Sequence, residues 1–316
     1  MAVFTKLSKE NIEKILKTYS IGSLVSYEGI IEGIENTNYK ITTNNHNYIL
    51  TIFEKRVNPL ELPFFMNLQK ELVTHGFSCP LPIENNDGSI INKIKDKSGV
   101  IISFIDGKQL QSILPKHCKE VGSMIAKFTN ITKTSKLKRD NGLNIKTWET
   151  IFKKCKESHD NYYDNYFKIL EDEISFLKNN WPTNLPRAII HADLFQDNIF
   201  FTNDKISGVI DFYFSCKDFI AYELALAINA WCFDLTKGFK SENYLSLIEG
   251  FNEHSTINND EIKSLNILLR GAAVRILVTR LHDIIYQPKD ALVIPKDPEE
   301  YLQILKWHQE NIEINL

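Results

Sequence analysis

The sequence predicts an α+β fold in which a small β-rich N-terminal lobe precedes a larger, mainly helical C-terminal lobe. Residues 23–53 are rich in Ile, Tyr, Thr and Val and are interrupted by polar turns, a pattern typical of an antiparallel meander. From residue 105 onward the apolar residues recur at helical spacing, except in one island at 187–211. With 316 residues, 43% hydrophobic and 24% charged, the chain can bury a sizeable core.

In the first lobe, Ser8 is placed to cap a helix over 9–19. We expect three strands within 23–53, with polar turns at 35–38 and 44–47. A helix follows Asn58-Pro59 and ends at Gly76, because glycine is common where helices stop. Two short strands, at 89–92 and 100–104, complete the lobe.

In the second lobe we predict seven helices and a β island. The helices are expected near 115–132, 146–156, 160–180, 218–235, 241–252, 259–286 and 298–312. We expect the first lobe to span residues 1–104 and the second 105–316. A cleft between two lobes is a common place for a small ligand.

Composition excludes several classes of protein. The 37 basic and 40 acidic residues give a net charge of −3, which argues against a broad nucleic-acid surface. No apolar run is long enough to span a membrane, and no signal-peptide pattern is present, so we expect a cytoplasmic protein. The five cysteines lack C-x-x-C spacing, which argues against a zinc site or a disulfide framework. The oligomeric state is left open.

The island contains the residues that indicate chemistry. It has the string His191-Ala192-Asp193, then Asn198, and after a predicted hairpin Asp211. Phosphoryl transfer from ATP requires a carboxylate that orients the acceptor and hard oxygen ligands for Mg²⁺. Each of these residues alone is more typical of a turn or cap, but their order and spacing together indicate function. We expect His191 to be a buried hydrogen-bonding residue that shapes the loop.

Longer strings carry a resemblance that covers nearly the whole chain. They are HADLFQDNIFF and GVIDFYFSC for the catalytic and metal loops, GIENTNYKI and YILTIFEK for the first lobe, and RGAAVRILVTRLHD and KDPEEYLQIL for the last helices. In these strings the chain resembles the kinase-like phosphotransferases of the aminoglycoside/choline kinase superfamily, and within it the bacterial homoserine kinases. The resemblance implies a protein-kinase-like two-lobe fold, with a nucleotide-binding lobe followed by a catalytic and substrate-binding lobe.

The resemblance also implies roles for individual residues. Asp193 would orient the substrate hydroxyl and accept its proton, and Asn198 and Asp211 would bind Mg²⁺. The residues expected to bind ATP fall into a phosphate-covering turn and a hinge that meets adenine. The first group is Gly33, Asn36, Thr37 and Asn38, and the second is Ser103, Phe104 and Ile105.

The sequence departs from the kinase pattern at three positions. Ala192 replaces the Arg of the H-R-D motif of protein kinases, so no activation-loop phosphosite is implied. Thr51 stands where the ATP lysine is expected, and Glu223 stands where Asp is expected. The change at Thr51 also motivates a second interpretation, a non-catalytic nucleotide-binding module, which the presence of all three loop residues weakens.

The resemblance implies an ATP-dependent homoserine kinase that makes O-phospho-L-homoserine for threonine biosynthesis. A cation is needed to bind the substrate carboxylate. Three of the six arginines, at 270, 275 and 280, lie in one predicted helix. Steps of five residues turn successive side chains to different sides of a helix, so all three cannot face one pocket. The expected substrate-binding residues are Tyr213, Asn229, Arg275 and Arg280, although both arginines could equally pair with nearby acids. Choline, an aminoglycoside or methylthioribose remain alternative acceptors for the same fold.

Overall fold

The computed structural model describes residues 4–31, 36–54, 57–158, 163–234, 236–287 and 295–312. The chain forms two compact units. The first consists of Met1–Lys108, Phe200–Thr202 and Ser207–Tyr213, and the second of Gln109–Ile199, Asn203–Ile206 and Phe214–Leu316. The predicted lobe boundary between residues 104 and 105 stays a prediction.

The first unit contains a five-stranded antiparallel sheet and two helices. The strands follow the order β1-β2-β3-β5-β4. The elements are α1 (Lys9–Leu16), β1 (Leu24–Ile30), β2 (Asn36–Thr43), β3 (Asn47–Phe53), α2 (Leu62–Thr74), β4 (Asn92–Ile94) and β5 (Lys97–Ser103). Ser8 caps α1 through its hydroxyl, as its position predicts.

Alternation along the strands divides the buried residues between the two faces of this sheet. Tyr39 and Ile41 of β2 lie on one face, where they pack with Ile12 and other residues of α1. On the other face, Phe53 and Val100 pack with residues of α2. Burying each large apolar side chain contributes roughly 1.5–3 kcal/mol, so both helices are held to the sheet by apolar packing.

The second unit is mainly helical, with short strands between the helices. The helices are α3 (Pro115–Thr132), α4 (Ile145–Ser158), α5 (Asp164–Asn180), α6 (Ile220–Trp231), α7 (Ser241–Asn252), α8 (Asn259–Ile285) and α9 (Glu299–Glu310). The strands that lie wholly within this unit are β6 (Arg187–Ile190), β9 (Cys216–Phe219), β10 (Phe233–Asp234) and β11 (Gly238–Phe239). Strands β7 (Ile199–Thr202) and β8 (Lys205–Val209) form the hairpin within the island.

Strand β6 positions the loop that carries the predicted catalytic residues. It pairs antiparallel with β9, with Arg187 opposite Phe219 and Ile190 opposite Cys216. Its three apolar residues, Ala188, Ile189 and Ile190, are almost completely buried. The loop therefore starts from a strand whose position is set by a neighbouring strand and by the core.

Three sequence predictions of secondary structure are wrong. The first of the two short strands, expected at 89–92, lies at Asn92–Ile94 as β4. The helix expected over 218–235 is shorter, because its ends pair as β9 and β10 instead. An apolar run suits a buried helix or a buried strand equally, and only the pairing partner decides between them. The turns predicted at 35–38 and 44–47 also overlap strands: residues 36–38 belong to β2, and Asn47 begins β3. Their polar side chains bond across the strands, as Thr51 does to Asn38 at 2.8 Å.

The predicted α+β class of a β-rich part followed by a mainly helical part is confirmed. All five cysteines are buried and none forms a disulfide. Among the helices that the structure describes, none combines the length and apolar character needed to span a membrane. The cytoplasmic location stays a prediction.

Helices α3 and α7 approach each other closely at two glycines. A Cβ at Gly122 of α3 would lie 1.9 Å from the carbonyl oxygen of Leu247, and one at Gly250 of α7 would lie 1.9 Å from that of Lys119. Backbone atoms cannot rotate away as a side chain can. The absence of Cβ at both positions therefore sets the distance between these helices.

We predict that Gly122→Ala lowers the free energy of unfolding by about 1–3 kcal/mol or more, because overpacking a rigid contact forces the backbone to move. Gly142→Ala is the matched control, since nothing lies within 4 Å of its added Cβ; it should change stability by less than about 1 kcal/mol. Urea unfolding of both variants measures the difference. Equal stabilities would contradict the close helix contact.

Candidate active site

The structure brings Asp193 and Asn198 together in the loop after β6. The Asn198 side-chain amide donates to the Asp193 carboxylate oxygen Oδ2 at 2.9 Å and to the Asp193 backbone oxygen at 2.8 Å. The backbone N–H of Phe195 also donates to the Asp193 carbonyl at 2.9 Å. These bonds fix the orientation of the carboxylate and leave the Asn198 oxygen Oδ1 available for another ligand.

Ala192, the residue before Asp193, is held at both of its backbone polar groups. Its N–H donates to the Glu223 oxygen Oε2 at 2.9 Å, and its carbonyl accepts from Arg275 Nη1 at 2.5 Å. Its φ is +63°, in the left-handed region that costs free energy for a residue with a side chain. The two bonds therefore stabilise a strained conformation next to the predicted catalytic carboxylate.

Burial controls the charges around this loop. It raises the pKa of the Asp193 carboxyl to about 6, although the Arg275 guanidinium opposes the shift. Burial also raises the pKa of Glu223 to about 7, against the Ala192 N–H and Arg275. Both Glu223 and Arg275 are almost fully buried. Because a guanidinium keeps its charge in proteins, Arg275 is a fixed positive charge that favours the ionised forms of both acids.

His191 is completely buried. Its ring meets the Phe128 ring edge-on, with the centroids 6.5 Å apart. This position beside the loop is compatible with the loop-shaping role expected from the sequence, and that role stays a prediction.

The second predicted metal ligand, Asp211, lies in the first compact unit, two residues after β8. Its φ is +65°, again in the left-handed region that is costly for a residue with a side chain. Asn198 has an amide oxygen and Asp211 a carboxylate, and their joint binding of Mg²⁺ stays a prediction. Mg²⁺ prefers such hard oxygen ligands and commonly takes only one or two from the protein, with water and phosphate oxygens completing its shell.

Of the predicted phosphate-covering residues, Gly33 lies outside the described part of the chain. Asn36, Thr37 and Asn38 form the start of β2. The Thr37 hydroxyl is buried, accepts from the backbone N–H of Phe4 and Thr5 at 3.0 Å each, and donates to a carboxylate oxygen of Glu54 at 2.6 Å. Their contact with phosphate stays a prediction.

The predicted hinge residues follow the end of β5. Ser103 is bonded twice to Leu81: its N–H donates to the Leu81 carbonyl at 2.9 Å, and its hydroxyl accepts from the Leu81 N–H at 2.8 Å. The Phe104 ring lies 5.0 Å from the ammonium of Lys40. The two bonds to Leu81 hold the end of β5 against the segment around residue 81. The adenine contact of Ser103, Phe104 and Ile105 stays a prediction.

The three arginines of α8 point in different directions, as the five-residue spacing predicts. Arg270 makes two bonds to the Glu173 carboxylate, at 2.7 and 2.6 Å, and Arg275 reaches Ala192. Arg280 Nη1 donates at 2.6 Å both to the Asp297 carbonyl and to a Glu300 carboxylate oxygen. Arg275 and Arg280 thus support the loop and a later segment, while their predicted contact with substrate stays a prediction.

The other two predicted substrate residues also have protein partners. The Asn229 amide donates to the Leu269 carbonyl at 2.9 Å, and its oxygen lies 2.8 Å from a ring nitrogen of His308. Tyr213 belongs to the first unit, where its ring meets Phe53 and Phe65 edge-on. Their contact with the acceptor stays a prediction.

A charged pair that the sequence analysis did not identify lies beside Asp193. The Lys296 ammonium is 3.1 Å from a carboxylate oxygen of Asp197, four residues after Asp193. Lys296 lowers and Asp197 raises the pKa of the Asp193 carboxyl, so both charges act on it. Roughly one hundred residues separate Lys296 from the motif, and no local pattern singles out this lysine among many.

Residues 26–244 match the model of the phosphotransferase enzyme family. The chain belongs to this family. It is 42% identical over 309 residues to a protein of Parvibaculum lavamentivorans named homoserine kinase, covering 98% of this chain and 96% of that protein. A homoserine kinase of Agrobacterium fabrum is 39% identical over 309 residues, with 98% and 96% covered.

Solved structures of other kinases share the fold. An amicoumacin kinase in complex with AMP-PNP, Ca²⁺ and Ami superposes with a TM-score of 0.72 at 14% identity, covering 97% of this chain and 93% of that chain. An ethanolamine kinase of Plasmodium vivax gives a TM-score of 0.62 at 17% identity, with 91% and 83% covered. The expected protein-kinase-like fold is confirmed.

We predict that Glu223→Gln removes part of the pH dependence of stability. The folded-state pKa of Glu223, about 7, lies above its usual value of 4.5, so the folded protein binds more protons between these pH values. The wild-type unfolding free energy should therefore fall by up to roughly 3 kcal/mol as pH rises from 4.5 to 7, and then level off.

The Gln side chain cannot ionise, and its oxygen can still accept the Ala192 N–H. Urea unfolding at pH 5, 6, 7 and 8 measures the effect, with exposed Glu242→Gln as the control for loss of one carboxylate. An unchanged slope in Glu223→Gln would show that folding does not raise the pKa of this carboxyl.

Proposed function

We propose that this chain is an ATP-dependent homoserine kinase, which transfers the γ-phosphoryl group of ATP to the hydroxyl of L-homoserine. The observation that carries the proposal is the full-length similarity, at 38–42% identity, to proteins named homoserine kinase in several bacteria. The product, O-phospho-L-homoserine, places the reaction in threonine biosynthesis. A cytoplasmic location fits that role and is part of the proposal.

Asp193 is the proposed acceptor-orienting residue. Its carboxylate would accept the hydroxyl proton of homoserine as the hydroxyl oxygen bonds to the γ-phosphorus and the bond from phosphorus to the β,γ-bridging oxygen breaks, releasing ADP. The bond from Asn198 holds one carboxylate oxygen, Oδ2, in a fixed direction. The pKa of about 6 keeps the group mostly ionised at neutral pH, while making it a better base than an exposed Asp.

Asn198 and Asp211 are the proposed ligands of Mg²⁺. The Asn198 amide nitrogen is already used by Asp193, which turns its oxygen Oδ1 toward other partners and fits a hard cation. When bound, Mg²⁺ would neutralise charge on the ATP phosphates. Gly33, Asn36, Thr37 and Asn38 are the proposed phosphate-covering residues, and Ser103, Phe104 and Ile105 the proposed adenine hinge.

Arg275 and Glu223 have a positioning role in this proposal. Together they hold the backbone of Ala192, so that the direction in which the chain enters Asp193 is set by two buried groups on α8 and α6. A carboxylate displaced by about 1 Å would lose much of its catalytic effect. The two residues therefore act on the reaction through Asp193.

We predict that Asp193→Asn lowers kcat with homoserine by roughly 10²- to 10⁴-fold, the usual contribution of a positioned acid–base group. The amide has the same shape, so the melting temperature should change little. Asp172→Asn on the exposed face of α5 is the control and should keep wild-type kcat. A normal kcat for Asp193→Asn would remove this residue from the mechanism.

We predict that Asp211→Asn strongly weakens Mg²⁺-dependent binding of ATP, because it removes the only carboxylate of the proposed ligand pair. Isothermal titration with a non-hydrolysable ATP analogue, with and without Mg²⁺, measures the effect. Wild-type affinity in the presence of Mg²⁺ would contradict the assignment of Asp211.

An ADP-release screen tests the acceptor itself. Homoserine should give the highest kcat/KM among homoserine, choline, ethanolamine, methylthioribose and an aminoglycoside. Phosphorus NMR should identify the product as an O-phosphate ester. A response to another acceptor in the absence of one to homoserine would overturn the proposed function.

A further inference from the structure

The loop that carries Asp193 meets the segment before α9 through one exposed ion pair. The Lys296 ammonium lies 3.1 Å from Asp197 and 5.4 Å from the centroid of the Phe195 ring. The side chains of Lys296 and Asp197 remain 62% and 53% exposed. One positive and one negative group are thus presented to solvent at the loop that carries the proposed catalytic carboxylate.

Other contacts hold the backbone on both sides of this pair. The Asp197 carbonyl accepts from the side chain of Gln109 at 2.8 Å. On the other side, Arg280 donates to the carbonyl of Asp297, the residue after Lys296, at 2.6 Å. The Phe195 ring also meets Tyr301 of α9, with centroids 6.4 Å apart. The loop and the segment therefore keep their positions without the ion pair.

An ion pair this exposed contributes only about 0–1 kcal/mol to stability. Lys296 and Asp197 can therefore separate and each pair with a charged group of a ligand, at little cost in stability. A ligand that carries both a carboxylate and an ammonium would replace one ion pair by two, without leaving either side chain unpaired.

We propose that Lys296 and Asp197 bind the amino-acid end of the acceptor: Lys296 donates to its carboxylate and Asp197 accepts from its ammonium, which leaves the hydroxyl arm beside Asp193. This inference rests on the proposed function and adds the residues that select the substrate class. It explains how a zwitterionic acceptor is distinguished from choline or an aminoglycoside, because those cations have no carboxylate for Lys296.

If Lys296 binds the acceptor, Arg280 has a role in positioning it. Its bonds to Asp297 and Glu300 join α8 to the segment that presents Lys296. Arg280 is thereby a positioning residue that acts on the substrate carboxylate through Lys296.

Three acceptors test the two charged groups of the substrate one at a time. They are L-homoserine, 3-aminopropan-1-ol, which lacks the carboxylate, and 4-hydroxybutanoate, which lacks the ammonium. Each is measured as a substrate and as a competitive inhibitor of homoserine phosphorylation. The variants are Lys296→Met, Lys296→Arg and Asp197→Asn. Lys116→Met is the matched control, because Lys116 forms an ion pair of similar exposure with Asp204.

Lys296→Met should lower kcat/KM for homoserine about 10- to 100-fold, the loss expected for a charged hydrogen bond. The loss should fall mainly on KM, as for an interaction made equally in the ground and transition states. Binding of 4-hydroxybutanoate should fall likewise, whereas that of 3-aminopropan-1-ol should stay within about threefold. Lys296→Arg should restore most of the homoserine activity.

Asp197→Asn should show the opposite selectivity, weakening homoserine and 3-aminopropan-1-ol but sparing 4-hydroxybutanoate. Equal losses on all three acceptors, or losses no larger than those of Lys116→Met, would overturn the inference while leaving homoserine phosphorylation intact. A wild-type enzyme that does not phosphorylate homoserine would instead overturn the proposed function, so the two failures are distinguishable.

Discussion

The backbone of Ala192 is the constraint on which the catalytic loop depends. It adopts a left-handed φ of +63°, and both of its polar groups are bonded to buried side chains, the N–H to Glu223 and the carbonyl to Arg275. Strain of this kind persists only when the surroundings over-determine it. Because α6 and α8 supply the two partners, the packing of the helical unit is what sets the direction of Asp193.

Charge and geometry are coupled at the same place. Glu223 and Asp193 have raised pKa values because burial disfavours their ionised forms, and the permanent charge of Arg275 opposes both shifts. Removal of the guanidinium would take away the buried positive charge that both carboxyls share, and breaking a buried pair in this way typically costs more than the net value of the pair. Arg275 thus orients the backbone of Ala192 and also supplies positive charge to the two carboxyls. These two roles account for a buried arginine on α8.

Recognition of the acceptor, in contrast, is proposed to use groups that stability does not need. Lys296 and Asp197 are exposed and weakly paired, whereas the backbone around them is held by Gln109 and Arg280. This separates a rigid support from an exchangeable pair of charges.

The residue pattern alone determined the α+β class, most helices, the meander and the loop with Asp193 and Asn198, because periodicity and short-range spacing are local properties. It also determined that the three arginines of α8 diverge. Only the tertiary structure decided that 216–219 is a strand, since its partner β6 lies well before it in the chain, beyond a loop and a hairpin. It also decided that 233–234 leaves the helical pattern to pair with 238–239. It likewise decided that Arg275 reaches Ala192 and that Lys296 meets Asp197. Those contacts join residues about 80 to 100 positions apart, and long-range packing, rather than any local preference, brings them together.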